Sequence, residues 1–200
     1  MDYEIIIQAF WLIIPAYVAN ASALLFGGGT PIDLGKTWKD EKRILGDGKT
    51  WQGLIAGSFI GMTAGFGLSV AAKYAQVYDF PIYLSDFTGF PMMIPLIFSI
   101  CFGALLGDIV ESFFKRRYNI QRGSDWIPFD QIDFIIGVLV SVFLMSSLLY
   151  VLSFLSYHWF FSEFSLYHIL TLLIATPFIH LFSNFIHRKI VDKKIQKKSI

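Results

Sequence analysis

Three aspartates set among basic residues are the first feature of this 200-residue chain with the makings of chemistry. Asp108 opens the run Gly107-Asp108-Ile109-Val110-Glu111-Ser112-Phe113-Phe114-Lys115-Arg116-Arg117. Asp130 and Asp133 follow in Pro128-Phe129-Asp130-Gln131-Ile132-Asp133-Phe134. On a helix, Asp108, Ser112 and Lys115 stand at i, i+4 and i+7 and share a face. Asp130 and Asp133, at i and i+3 in the first turn of the next helix, also point one way. Oxygen-only ligands suit Mg2+, which keeps several waters and is usually shared with substrate phosphates. Capping of a helix N-terminus is the competing role for the Asp130/Asp133 pair. Capping accounts for one acid, but not for three acids interleaved with Lys115, Arg116 and Arg117. Carboxylates with Lys and Arg at one place point to a polyphosphate bound with its metal, and so to phosphoryl or nucleotidyl transfer.

A second polar segment reads Gly27-Gly28-Gly29-Thr30-Pro31-Ile32-Asp33-Leu34-Gly35-Lys36-Thr37-Trp38, then Gly46-Asp47-Gly48-Lys49-Thr50-Trp51. Glycines let backbone N–H groups approach a phosphate, and lysine adds a mobile charge. Neither Gly-Lys-Thr copy is a Walker A motif, because Thr30 and Arg43 stand where that pattern needs its first glycine. A basic loop that sets topology and touches lipid headgroups is the alternative. His158, His168, His180 and His187 have no acidic or Cys partner at ligand spacing and are expected to pack rather than bind zinc. The single cysteine, Cys101, excludes a disulfide framework.

The elements that must position these residues are membrane helices. Hydrophobic residues make up 55% of the chain and charged ones 16%, with a mean hydropathy of +0.59. That excludes disorder and argues against a water-soluble fold. Runs free of Asp, Glu, Lys and Arg cover 5–32, 50–72, 87–107, 134–162 and 164–187. Each exceeds the roughly 20 residues that span about 30 Å of hydrocarbon. The expectation is one all-α domain over 1–200 with five transmembrane helices, near 5–26, 51–72, 88–116, 131–156 and 164–187. Of the 16 basic residues, all but Lys73 fall after helix 1, after helix 3 or in the tail. The positive-inside rule then puts the N-terminus outside, the C-terminus inside and both polar segments in the cytoplasm. The acidic start, Asp2 and Glu4, fits a retained first helix rather than a cleaved signal.

At these residues the chain resembles the CDP-archaeol synthases, archaeal relatives of the CDP-diacylglycerol synthases. The resemblance runs through Pro15-Ala16-Tyr17-Val18-Ala19-Asn20-Ala21, the Gly27–Asp33 loop and Leu45-Gly46-Asp47-Gly48-Lys49-Thr50-Trp51. It continues through Gly107-Asp108, Ser112, Lys115, Arg116 and the stretch from Pro128 to Asp133. The His-Gly-Gly of the wider cytidylyltransferases is missing; Pro128-Phe129 takes its place, which favours the archaeal branch. The resemblance implies that CTP and 2,3-bis-O-geranylgeranylglycerol 1-phosphate give a CDP-activated lipid and pyrophosphate at the plasma membrane. It implies Mg2+ on Asp108, Asp130 and Asp133, phosphate contacts from Lys115 and Arg116, and support from Ser112. Thr30, Asp33, Lys36, Asp47 and Lys49 would close over the nucleotide.

The lipid tails would enter laterally, past Pro15, Pro177 and the helix 2 glycines Gly57, Gly61 and Gly65, although those glycines equally suit helix packing. No nucleic-acid partner is expected, and a homodimer is left open. The alternatives are a CDP-diacylglycerol synthase, a CDP-alcohol phosphotransferase, whose Asp-Gly…Ala-Arg series is not found, and a small transporter. Five helices do not divide into the inverted halves that a transporter would show.

Overall fold

The computed structural model describes residues 3–120, 126 and 129–178. These residues form α1 (Tyr3–Leu25), α2 (Trp51–Val77), α3 (Met93–Arg117), α4 (Phe129–Val151), a short α5 (Trp159–Glu163) and α6 (Leu166–Phe178). The first four each carry an apolar stretch long enough to cross a bilayer. The expected all-α, multi-pass architecture is therefore present. α6 supplies the start of the fifth expected span, and its remainder to 187, with the basic tail, lies outside the described residues. Among the described residues there is no strand, only isolated bridges between Pro31 and Thr50 and between Thr37 and Arg43.

Three helices end by the same device. Asp79, Asn119 and Ser153 take φ of 50°, 58° and 58°. The next N–H groups, of Phe80, Ile120 and Phe154, then donate back to the carbonyls of Ala75, Lys115 and Leu149 at 2.9, 3.0 and 2.9 Å. A left-handed residue at this place turns the chain and satisfies the last carbonyls of the helix. Two expected boundaries shift as a result. α2 runs past Lys73 to Val77 instead of stopping at 72, and α4 stops at Val151 instead of 156. α3 starts at Met93 rather than 88, because Phe87, Thr88 and Gly89 sit at φ of 56°, 68° and 69°, outside the right-handed helical region.

Packing relies on small residues. α2 buries Gly53, Gly57, Gly61 and Gly65 in one stripe. A Cβ at Gly57 would lie 2.7 Å from the Ala19 carbonyl oxygen, and one at Gly61 would lie 2.8 Å from that of Pro15. α1 and α2 thus meet backbone to backbone, as they must where lipid offers no hydrophobic drive. Gly57 and Gly61 are packing residues. α3 and α4 cross equally closely: a Cβ on Gly107 would strike the Asp133 carbonyl, and one on Gly137 would strike that of Gly103. Around these crossings Ile13, Ile97, Ile100, Phe134 and Ile135 are fully buried. His158 hydrogen-bonds Ser146 and Ser147 through its two ring nitrogens, and His168 meets Gln8 at 3.1 Å. Both pack as expected; His180 and His187 lie outside the described residues. The arrangement gathers the C-terminal end of α3, the N-terminal end of α4 and the α1–α2 loop at one end of the bundle.

Candidate functional site

The α1–α2 loop, residues 26–50, is fastened at both ends. Thr50 caps α2, its Oγ1 accepting from the N–H groups of Gly53 at 3.1 Å and Gly28 at 3.2 Å. Ile32 N–H donates to the Lys49 carbonyl at 2.8 Å. Between them, Asp33 is buried and takes the Arg43 guanidinium on both oxygens, Nη2 at 2.8 Å and Nε at 3.2 Å. The same carboxylate accepts from the backbone N–H groups of Gly35, Leu45 and Gly46 at 3.1, 3.0 and 3.0 Å. Burial pushes the Asp33 carboxyl up, but Arg43 and the N–H groups of Gly46, Leu45 and Gly35 outweigh it. They hold the group well below the ordinary carboxylate range. Gly46 turns at φ 93°, a conformation that glycine adopts without strain.

The loop is also clasped to α3. Arg117 donates to Asp40 at 2.9 Å and to the carbonyls of Lys42 and Arg43, while Lys42 Nζ returns to the Arg117 carbonyl at 2.9 Å. The Arg117 guanidinium lies 4.9 Å from the Phe113 ring centre, and Trp38 meets Phe113 edge-on at 5.5 Å. The clasp delivers Lys49 to α3, where its ammonium pairs with Asp108.

Asp108 stands in a carboxylate group. Single oxygens of Asp108 and Glu111 on α3 and Asp133 on α4 all lie within 4.8 Å of one another. The tight Gly107 crossing brings Asp133 into this group from the neighbouring helix. Beside it, Lys115 bridges Glu111 at 2.9 Å and Asp130 at 2.7 Å. Asp130 also accepts from the Trp126 N–H at 3.0 Å, just before α4 begins. Lys49 and Asp108 line a cavity of about 420 Å³, with Tyr17 and Asn20 of α1, Thr50 and Leu105. That volume falls in the range of small-molecule sites. Three convergent carboxylates form an all-oxygen donor set that fits a hard divalent cation, and the lysines beside them fit phosphate.

The structure thus brings together Lys49, Asp108, Lys115, Asp130 and Asp133 of the expected residues. Asp130 lies against Lys115 and Glu111, at the edge of the three grouped carboxylates. Ser112 is buried on α3, one turn beyond Asp108. Arg116 is half-buried, passes beside Gly46 and makes no ion pair among the described residues. Thr30 and Lys36 are exposed, the Thr30 backbone carbonyl accepting the Trp51 N–H at 3.2 Å. Asp47 is exposed and pairs with Arg43 at 2.9 Å. Sequence reasoning did not select Glu111, Arg43, Arg117 or Asn20. Glu111 had a signal, since it stands at i+3 from Asp108. Arg43 had none, because its partner Asp33 lies ten residues away in an irregular loop.

Comparison with known proteins shows the family. The family model described as CarS-like, CDP-archaeol synthase, matches residues 2–196. The chain is similar to the CDP-archaeol synthase of Thermococcus onnurineus (strain NA1), 38% identical over 195 residues that cover 98% of this chain and 99% of that protein. The CDP-archaeol synthase of Methanocaldococcus jannaschii is 37% identical over 197 residues, with the same coverage of each chain. A solved structure described as an intramembrane enzyme for archaeal membrane lipids biosynthesis superposes with a TM-score of 0.65. It shows 30% identity and covers 90% of this chain and 94% of its own.

Proposed function

The chain belongs to the CDP-archaeol synthase family, CTP-dependent lipid cytidylyltransferases, and on that premise we propose that it uses Mg2+ to transfer CMP from CTP to 2,3-bis-O-geranylgeranylglycerol 1-phosphate. The observation that carries this reading is the convergence of Lys49 and Asp108 on one cavity wall, with Glu111 and Asp133 grouped at Asp108.

A lipid phosphate monoester is already a nucleophile and needs no strong base. One of its oxygens attacks the α-phosphorus of CTP; a P–O bond forms there, and the bond to pyrophosphate breaks. The chain must therefore bring two anions together and offset the charge on the transferring and leaving groups. Asp108, Glu111 and Asp133 would hold Mg2+, which when bound supplies Lewis-acid neutralisation of the phosphates. Asp130 orients Lys115. Lys49 and Lys115 present ammonium donors to phosphate oxygens, and Arg116, lacking a carboxylate partner among the described residues, offers its guanidinium. Ser112 supports this group, while Thr30, Lys36 and Asp47 belong to the loop that covers the nucleotide. The basic loop and the basic end of α3 support a cytoplasmic position for this face, with the N-terminus outside, and we assign the membrane as the plasma membrane. The isoprenoid tails stay in the bilayer, beside Ala21, Leu24 and Leu105 on the cavity wall.

The test is pyrophosphate release by detergent-purified protein given CTP, Mg2+ and either the bis-geranylgeranyl ether phosphate or a diacyl phosphatidic acid. Release with the ether lipid and little with the diacyl lipid is expected. Equal rates would refute the lipid assignment, and silence with both, in folded protein, would refute the reaction.

A further inference from the structure

We infer that Asp33 is a positioning residue, a buried post that folds the Gly46–Lys49 turn and so sets Lys49 against Asp108 at the cavity. The inference rests on the proposed reaction only for its kinetic readout. An ionised carboxylate has about four lone-pair sites. Asp33 already receives five donor contacts from its own loop: two from Arg43 and one each from the Gly35, Leu45 and Gly46 N–H groups. Its side chain is 0% exposed. It therefore has neither the acceptor capacity nor the access to hold a nucleotide or its metal.

What Asp33 does have is a connection to Lys49. Leu45 and Gly46 are tied to its Oδ2, and Gly46 begins the turn whose Lys49 N–H approaches the Gly46 carbonyl at 3.5 Å. The far side of that turn is tied by Ile32, the residue next to Asp33, through the 2.8 Å bond to the Lys49 carbonyl. Lys49 is thus held from both sides by one short stretch of chain. Arg43 extends the same post outward. Its guanidinium bridges Asp33 and Asp47, and its carbonyl accepts from Arg117 at the end of α3. Loss of the Asp33 charge leaves an arginine and three backbone donors facing a neutral group, so the turn loosens while the helices keep their packing.

Hydrogen–deuterium exchange of the full-length protein in detergent reads the turn directly, without substrate. In Asp33→Asn, the amides of Leu45 and Gly46 are expected to exchange at least tenfold faster, with amides inside α1–α4 unchanged. The KM for CTP is expected to rise tenfold or more while kcat at saturating CTP stays within about threefold. Arg43→Met, whose side chain is partly exposed and whose loss leaves the helix core intact, is expected to act in the same direction. The double variant should be no worse than the poorer single one. If exchange at Leu45 and Gly46 matches wild type in both variants, the post does not exist. A fall in kcat with exchange and KM unchanged would make Asp33 a contact of the reacting groups and overturn the inference. Absence of any pyrophosphate release by wild type would refute the reaction, while the exchange comparison still decides the role of Asp33.

Discussion

The crossing of α3 and α4 makes the carboxylate group sensitive to a single methyl group. A Cβ added at Gly137 would overlap the Gly103 carbonyl oxygen and lie 2.8 Å from the Gly107 Cα and N. Ordinary carbon contacts are about 3.5–4.0 Å, so Gly137→Ala must part the two helices by roughly 1 Å. Overpacking of this kind costs about 1–3 kcal/mol. Asp133 stands one turn before Gly137, and its carbonyl faces Gly107, so the movement withdraws Asp133 from Asp108 and Glu111. Mg2+ tolerates little deviation from ligand distances of about 2.0–2.1 Å, and a 1 Å misplacement can cost about 10²-fold in rate. Pyrophosphate release followed across a Mg2+ titration should show an apparent Mg2+ affinity about tenfold weaker. Turnover at saturating Mg2+ should fall by 10- to about 100-fold. Gly67→Ala is the control: nothing lies within 4 Å of its added Cβ, and mid-helix alanine is favoured over glycine by about 0.5–1 kcal/mol. A Gly137→Ala enzyme with wild-type Mg2+ dependence and melting temperature would refute the coupling of this crossing to the site.

Other outcomes follow from the same geometry. Glu111→Gln and Asp133→Asn should each weaken activity at limiting Mg2+ by at least tenfold, and should lose less at saturating Mg2+; unchanged Mg2+ curves would remove them from the metal site. Asp130→Asn should lower activity at every Mg2+ concentration through Lys115, and should shift the Mg2+ midpoint less than Asp133→Asn does. Gly61→Ala forces a Cβ to within 2.7 Å of Ala19 Cβ and 2.9 Å of Cys101 Sγ, and should lower the melting temperature in detergent by several degrees. The Asp33 carboxyl titrates below its unfolded value of about 3.9, so its contribution is complete above that pH and is lost as pH falls through the depressed value. Exchange protection at Gly46, corrected for intrinsic rates, should therefore stay constant from pH 8 to 5 and drop only in stronger acid.

The membrane helices were readable because hydrocarbon thickness imposes a minimum length on every uncharged run, and that constraint acts on composition alone. Their ends were not, because a span ends where the backbone turns. Asp79, Asn119 and Ser153 in the left-handed region set α2, α3 and α4, whereas the expected limit of 72 for α2 came from the charge of Lys73, a residue that lies inside the helix. Helical periodicity placed Asp108 and Lys115 on adjoining parts of one helix, and the same rule reaches Glu111. The grouping of Asp133 rather than Asp130 with Asp108 depends on which way α4 rotates over Gly107, a matter of tertiary packing. Asp33 was expected at the nucleotide through the resemblance carried by the Gly27–Asp33 loop, and its burial was not legible. Its donors come from residues 35 to 46 of an irregular segment, where no period links them.

The direct contact of α1 and α2 backbones has an entropic consequence for the loop strung between them. Glycine against carbonyl leaves no rotamers to freeze, so the two helices hold the loop's ends at a fixed separation without a side-chain ordering cost. Closing a segment of this length from free ends costs several RT. Here that closure is already paid for in the fold, and the bridge from Pro31 to Thr50 shortens the free segment further. On the proposed reaction, a nucleotide arriving at the cavity would meet a loop already restricted to a small region, and more of its contact energy would be left for affinity.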